Sequence, residues 1–174
     1  MHTGGGRLRN TAWLRWHAGA AVVVAMVGAA LAAAPAYASG PQLKLVSNRA
    51  AADGSLQVKA YVYSRVPLGA YTLELTFDPS LFELVSLDGG SAEFASSPFN
   101  NPATFPSGVV RFSAFQPGRM DGPTGKCHVA TFTWRPRVAK VRTRVTLEAI
   151  IVADTLGSTY RVPPRVKTLV TRQR

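Results

Sequence analysis

The sequence predicts an all-β protein: an antiparallel β-sandwich of about eight to nine short strands, preceded by a signal-peptide helix. Three observations carry this. From Tyr71 to Phe77, Tyr71, Leu73, Leu75 and Phe77 alternate strictly with Thr72, Glu74 and Thr76. That is the period of a strand with one face in a core and one in water. Further short runs of this kind are separated by Gly, Pro, Asn and Asp clusters. Beyond the leader, no segment sustains a helical period.

Residues 1–38 read as a secretory signal peptide. Arg7, Arg9 and Arg15 make a positive start, Ala18 to Ala34 is an apolar run, Pro35 breaks it, and Ala36-Tyr37-Ala38 is an A-x-A cleavage signature. The alternative is an uncleaved anchor, for which 17 apolar residues (18–34) lie at the short limit for spanning. The arginines are not adjacent, which argues against a twin-arginine signal, and Cys127 is far from the cleavage site, which argues against a lipoprotein anchor. Cleavage before Ser39 leaves 136 residues (39–174), enough for one domain with its own core. No later segment is apolar enough to span a membrane, so a secreted chain is expected, periplasmic or extracellular.

Leu43 to Val46 reads as a first strand and Asn48 to Gly54 as a polar turn. In Ser55 to Arg65, Leu56, Val58, Ala60 and Val62 face one way, and Gln57, Lys59, Tyr61, Tyr63 and Arg65 the other. Pro67 interrupts the ladder before the strand Tyr71 to Phe77. Asp78-Pro79-Ser80 then turns the chain, because proline fixes φ and aspartate can hydrogen-bond its own backbone two residues on. Leu81 to Val85 follows and ends at Asp88-Gly89-Gly90. Asp88 to Gly108 lacks a clear period and is long for a loop; Phe94, Phe99 and Phe105 are expected to pack parts of it down. Strands resume at Val109 to Phe115, with Val110, Phe112 and Ala114 inward, and at Val129 to Trp134. In Val141 to Val152, the residues Val141, Val145, Leu147, Ala149 and Ile151 share one face. Tyr160 to Val170 closes the chain, and Pro163-Pro164 marks an edge or a bulge.

Charge is uneven. Residues 39–134 hold seven Lys or Arg and seven Asp or Glu, whereas residues 135–174 hold ten Lys or Arg against Glu148 and Asp154, a surplus of +8. Within that tail, Arg135, Arg137, Lys140, Arg142 and Arg144 form a basic run. Alternation puts Lys140, Arg142 and Arg144 on one sheet face, a candidate stripe for an acidic polysaccharide, phosphates or an acidic protein surface. The alternative is a solvated edge whose charges discourage strand-to-strand association. Nucleic acid is not expected, because aromatic interleaving is missing from this run. Lys59, Tyr61, Tyr63 and Arg65 form a second candidate, an aromatic platform flanked by cations. Its alternative is ordinary sheet surface.

Little points to catalysis or to a cofactor. Cys127 is the only cysteine, so an intrachain disulfide is excluded. His128 adjoins it, and strand neighbours face opposite ways, a poor geometry for a Cys–His pair. Asp78, Asp88, Asp121 and Asp154 sit at turns and read as turn formers. A calcium site from loop carboxylates and carbonyls stays open, although no dense acidic loop supports one, and no carboxylate pair marks a glycosidase. The chain is read as a binding module and not an enzyme.

The order of elements resembles a cohesin domain, within the group of bacterial β-sandwiches that also contains cellulose-binding modules. The matching residues begin with the strand Tyr71–Phe77, its Asp78-Pro79 turn and Leu81. They continue with Gly108-Val-Val-Arg-Phe112, Gly125 before a strand ending Phe132-Thr-Trp134, and Val145-Thr-Leu147 leading to Ala153-Asp154 and Gly157. The resemblance spans Leu43 to Val170. It implies a jelly-roll-like sandwich that binds without catalysis: a sheet face grips a calcium-loaded dockerin module on a secreted enzyme, while related sandwiches bind polysaccharide. Scaffold proteins of the family string several modules on linkers; this chain is expected to carry one, without a linker or a following anchor.

Overall fold

The alternation at Tyr71 to Phe77 becomes the central strand of a two-layered β-sandwich. In the computed structural model, residues 40–48, 54–117, 120–139 and 142–170 are described. Residues 1–38, expected to be a signal peptide, lie outside them, as do Lys140 and Val141. Among the described residues nine strands form two antiparallel sheets: β1 (Gln42–Ser47), β2 (Leu56–Ser64), β3 (Leu68–Thr76), β4 (Phe82–Gly89), β5 (Phe99–Asn100), β6 (Val109–Phe115), β7 (Gly125–Pro136), β8 (Arg142–Asp154) and β9 (Arg165–Val170). One sheet has the order β1-β2-β7-β4 and the other β5-β6-β3-β8-β9. No described helix is long and apolar enough to cross a membrane.

Inward residues of both sheets meet in one core, and large aromatics bridge the layers. Phe77, just past β3, meets Trp134 of β7 edge to face at 4.6 Å, and Phe112 of β6 meets Phe132 of β7 at 5.4 Å. Burying each such ring contributes roughly 1.5–3 kcal/mol. Tyr71 of β3 sends its hydroxyl across the core to donate to the Val129 carbonyl of β7 at 2.8 Å. The Asp78 turn closes as expected, its carboxylate accepting from the Ser80 backbone N–H and hydroxyl at 2.9 and 2.6 Å.

Two side chains, Phe99 and Ile151, depart from the sequence reading. The long segment after β4 is a packed excursion of two 3-10 turns, Ala92–Phe94 and Pro102–Ser107, around the two-residue β5. Phe94 is buried and Phe105 lies against the core, but Phe99 is 72% exposed on the sheet surface. In β8, Ile151 does not share the inward face with Val145 and Leu147. The pairing with β3 skips Ile150 between Thr72 and Leu73, so the parity flips: Val152 turns inward, and Ile150 and Ile151 turn to solvent. An inserted bulge residue re-aims every side chain beyond it.

Candidate functional site

The two outward sheet faces differ in chemistry. On the four-stranded sheet, β2 projects Lys59, Tyr61 and Tyr63 outward, and Arg65 follows just past its end. Neighbouring strands complete the face. The register places Lys44 of β1 and His128 of β7 either side of Tyr61, and Gln42 and Lys126 either side of Tyr63. Lys126 Nζ sits 4.4 Å from the Tyr61 ring centroid and Lys44 Nζ 5.7 Å from that of Tyr63, both within cation–π range. The His128 ring lies 5.1 Å from that of Tyr61. The tyrosines are therefore props for lysines rather than a bare aromatic platform.

His128 and Cys127 take opposite sides of β7. The imidazole Nε2 lies 3.1 Å from the Ala130 carbonyl and 3.1 Å from the Thr131 hydroxyl. Burial, then the charges of Lys59 and Lys126, hold its pKa below the ordinary histidine value despite the Ala130 contact. Cys127 points into the core, where burial and the charge of Glu93 push its pKa up. An inert thiol results.

The basic run does not form one stripe. Arg135 belongs to β7 in the four-stranded sheet, and Arg137 follows it; both approach Glu83 of β4, at 3.7 and 4.0 Å. These partners are largely solvated, so each pair is worth about 0–1 kcal/mol. Arg142 and Arg144 lie on β8 in the other sheet, opposite Val170 and Thr168 of β9. The chain changes sheets between β7 and β8, which parts the cations that the sequence places side by side. Lys140 lies outside the described residues.

The five-stranded sheet carries a face that sequence reasoning did not single out. One row runs Phe99, Ser113, Thr72 and Ile151 across β5, β6, β3 and β8. Phe115, two residues beyond Ser113 and 58% exposed, stacks on Phe99 with centroids 6.0 Å apart and planes 10° apart. Ile150 is exposed beside Ile151. Between the apolar ends, the Thr72 and Ser113 hydroxyls hydrogen-bond at 2.9 Å. The next row holds Arg111, Glu74 and Glu148, with Arg111 donating to Glu74 at 2.8 and 3.1 Å. Two signals were available in the sequence: Phe115 falls at an outward position of β6, and Ile150-Ile151 is a pair of which one member must face out.

Of the aspartates read as turn formers, Asp78 and Asp154 act on their own turns, whereas Asp88 lies within β4. Asp154 accepts from the Leu156 and Ser158 backbone N–H groups at 2.9 Å each and from the Tyr160 hydroxyl at 2.7 Å. These bonds, the Tyr160 one foremost, hold its carboxyl below the ordinary range. Asp88 accepts from the Ser86 hydroxyl at 2.7 Å. Among the described residues no three His, Cys, Asp or Glu side chains converge as metal ligands.

No family model and no curated protein matches this chain. Solved structures do. A cohesin module from a Clostridium perfringens family 33 glycoside hydrolase superposes with a TM-score of 0.62 at 10% identity, covering 78% of this chain and 98% of its own. A chain of a type I cohesin–dockerin complex from Clostridium thermocellum gives 0.56 at 12% identity, with coverages of 72% and 96%. A non-cellulosomal cohesin from Archaeoglobus fulgidus gives 0.57 at 14%, with coverages of 74% and 90%. The domain has the cohesin-like β-sandwich fold.

Proposed function

We propose that this chain is a secreted, non-catalytic recognition module that seats a protein partner on the outer face of its five-stranded sheet. The carrying observation is the exposed Phe99–Phe115 stack together with Ile150 and Ile151, on a sheet face where the Thr72 and Ser113 hydroxyls lie between them and the Glu74–Arg111 pair and Glu148 form the next row. Apolar side chains grouped on an exposed surface with polar neighbours mark a protein interaction site. Large aromatics supply most of the binding energy at such sites. The structural neighbours support the reading, since one belongs to a cohesin–dockerin complex. A partner of dockerin type is therefore the first to test, with calcium carried by the partner. A link to polysaccharide breakdown follows from that choice of partner.

The test is capture of secreted and envelope proteins on the immobilised full chain, with calcium and then with chelator, beside the variant Phe99→Ser/Phe115→Ser. A protein retained with calcium, released by chelator and lost in the variant supports the reading. Equal capture by the variant places the partner on another surface. No capture in either condition removes protein docking as the leading function.

A further inference from the structure

The four-stranded sheet turns a cationic face to solvent. Strand geometry spaces outward rows by about 7 Å and strands by about 5 Å. Lys126, Lys44 and Lys59 lie in three successive rows on three different strands, so their Cα atoms are roughly 8–14 Å apart. Arg65 adds a fourth cation at the end of β2. None of the four forms an ion pair among the described residues. Among the described residues, Asp88 on β4, engaged by Ser86, and Glu93 in the 3-10 turn beside β7 border the face. The depression of the His128 pKa partly records the resulting field, because Lys59 and Lys126 both contribute to it.

We infer that this face binds an acidic polysaccharide, lying across β1, β2 and β7. Three properties select that occupant. The cations are spread over three rows and three strands, a distribution that matches charges repeated along a polymer. The groups between them are neutral hydrogen-bonding ones, Gln42, Tyr61, Tyr63, His128 and Thr131, which suit hydroxyl-rich sugars. The face also lacks an exposed large apolar side chain on β1, β2 or β7 that could enter a bilayer. The lysines over the tyrosine rings make flat stacking of a neutral sugar the weaker mode; charge is what the face offers. This site is on the opposite side of the sandwich from the proposed protein-binding face, so the two readings stand or fall separately.

The experiment is affinity electrophoresis of the full chain through gels containing polygalacturonate or neutral dextran, with flotation on phosphatidylglycerol vesicles in parallel. The variants are Lys44→Gln/Lys59→Gln/Lys126→Gln and, as a charge control, Arg142→Gln/Arg144→Gln on the other sheet. Polygalacturonate should retard the wild type and dextran should not. The triple variant should lose about tenfold in affinity or more, as expected for three solvated ion pairs, while the control stays close to wild type. Circular dichroism should show both variants folded, because the substituted side chains are on the surface. Unchanged binding by the triple variant, an equal loss in the control, equal retardation by dextran, or no retardation at all would overturn the assignment. Binding to vesicles without binding to polygalacturonate would overturn it in favour of a lipid surface.

Discussion

Replacing Tyr71 by Phe removes one oxygen atom from the centre of the sandwich, and the structure fixes what that oxygen does. Tyr71 is 1% exposed. Its hydroxyl donates at 2.8 Å to the carbonyl of Val129, the residue passed over where the β2–β7 pairing shifts register. The bulge thus gains a hydrogen-bond donor from the opposite sheet. In Tyr71→Phe the ring contacts with Phe94 and Phe112 remain, at 5.2 and 6.1 Å, so packing is held nearly constant. The loss is one buried hydrogen bond plus a carbonyl deprived of this donor, about 1–3 kcal/mol. For a domain of this size that lowers Tm by roughly 3–12 °C. A second readout is independent of the first. Burial raises the Tyr71 pKa above its ordinary value of 10.0, so above pH 10 the unfolded chain ionises this phenol while the folded one keeps it protonated. The unfolded state then binds fewer protons, and stability falls as pH rises, by about 1.4 kcal/mol per pH unit from this group. Tyr71→Phe should therefore be less stable at pH 7 and show a shallower alkaline decline. Urea unfolding of both proteins from pH 7 to pH 11 measures both effects. Unchanged stability at pH 7 with identical alkaline slopes would refute the role given to the hydroxyl.

Gly90→Ala should destabilise the domain by about 3 kcal/mol, read by urea unfolding, because a Cβ there would collide with the backbone carbonyl of His128. Cys127 should react with a thiol reagent at pH 8 at least about tenfold more slowly in the native protein than in denaturant, since burial both shields the thiol and raises its pKa. Fast native labelling would show an open thiol. Arg111→Ala should cost about 1 kcal/mol or less, the loss shrinking as salt is raised, because the Arg111 side chain of the Glu74 pair is mostly exposed.

Strands were legible wherever one face is buried and the other wet, because that alternation is visible residue by residue. Leu56 to Val62 and Tyr71 to Phe77 are of this kind, and their inward residues are buried as read. What the pattern cannot reveal is where it breaks phase. Val141 to Val152 shows apolar residues on both sides of the skipped Ile150, so sequence alone permits Ile151 to continue inward; only pairing with β3 forces the flip. Phe99 illustrates a second limit. An aromatic in an irregular segment reads as a packing residue, but a two-residue β5 lays it on the outside of the sheet against Phe115.

The candidate sites were legible to the extent that each belonged to one strand. Lys59, Tyr61 and Tyr63 share a face because strand periodicity requires it. Lys44 and Lys126, which convert that face from aromatic to cationic, arrive from strands adjacent in space and remote in sequence. The basic run from Arg135 to Arg144 errs in the opposite sense: proximity along the chain suggested one stripe, and the crossover between sheets divides it. The same crossover separates the functions proposed for the two faces. The apolar Phe99, Phe115 and Ile151 are carried by β5, β6 and β8, Lys44, Lys59 and Lys126 by β1, β2 and β7, and the shared core lies between the layers. A substitution on one outward face reaches the other only through that core, so each face can be altered and assayed while the other serves as its internal control.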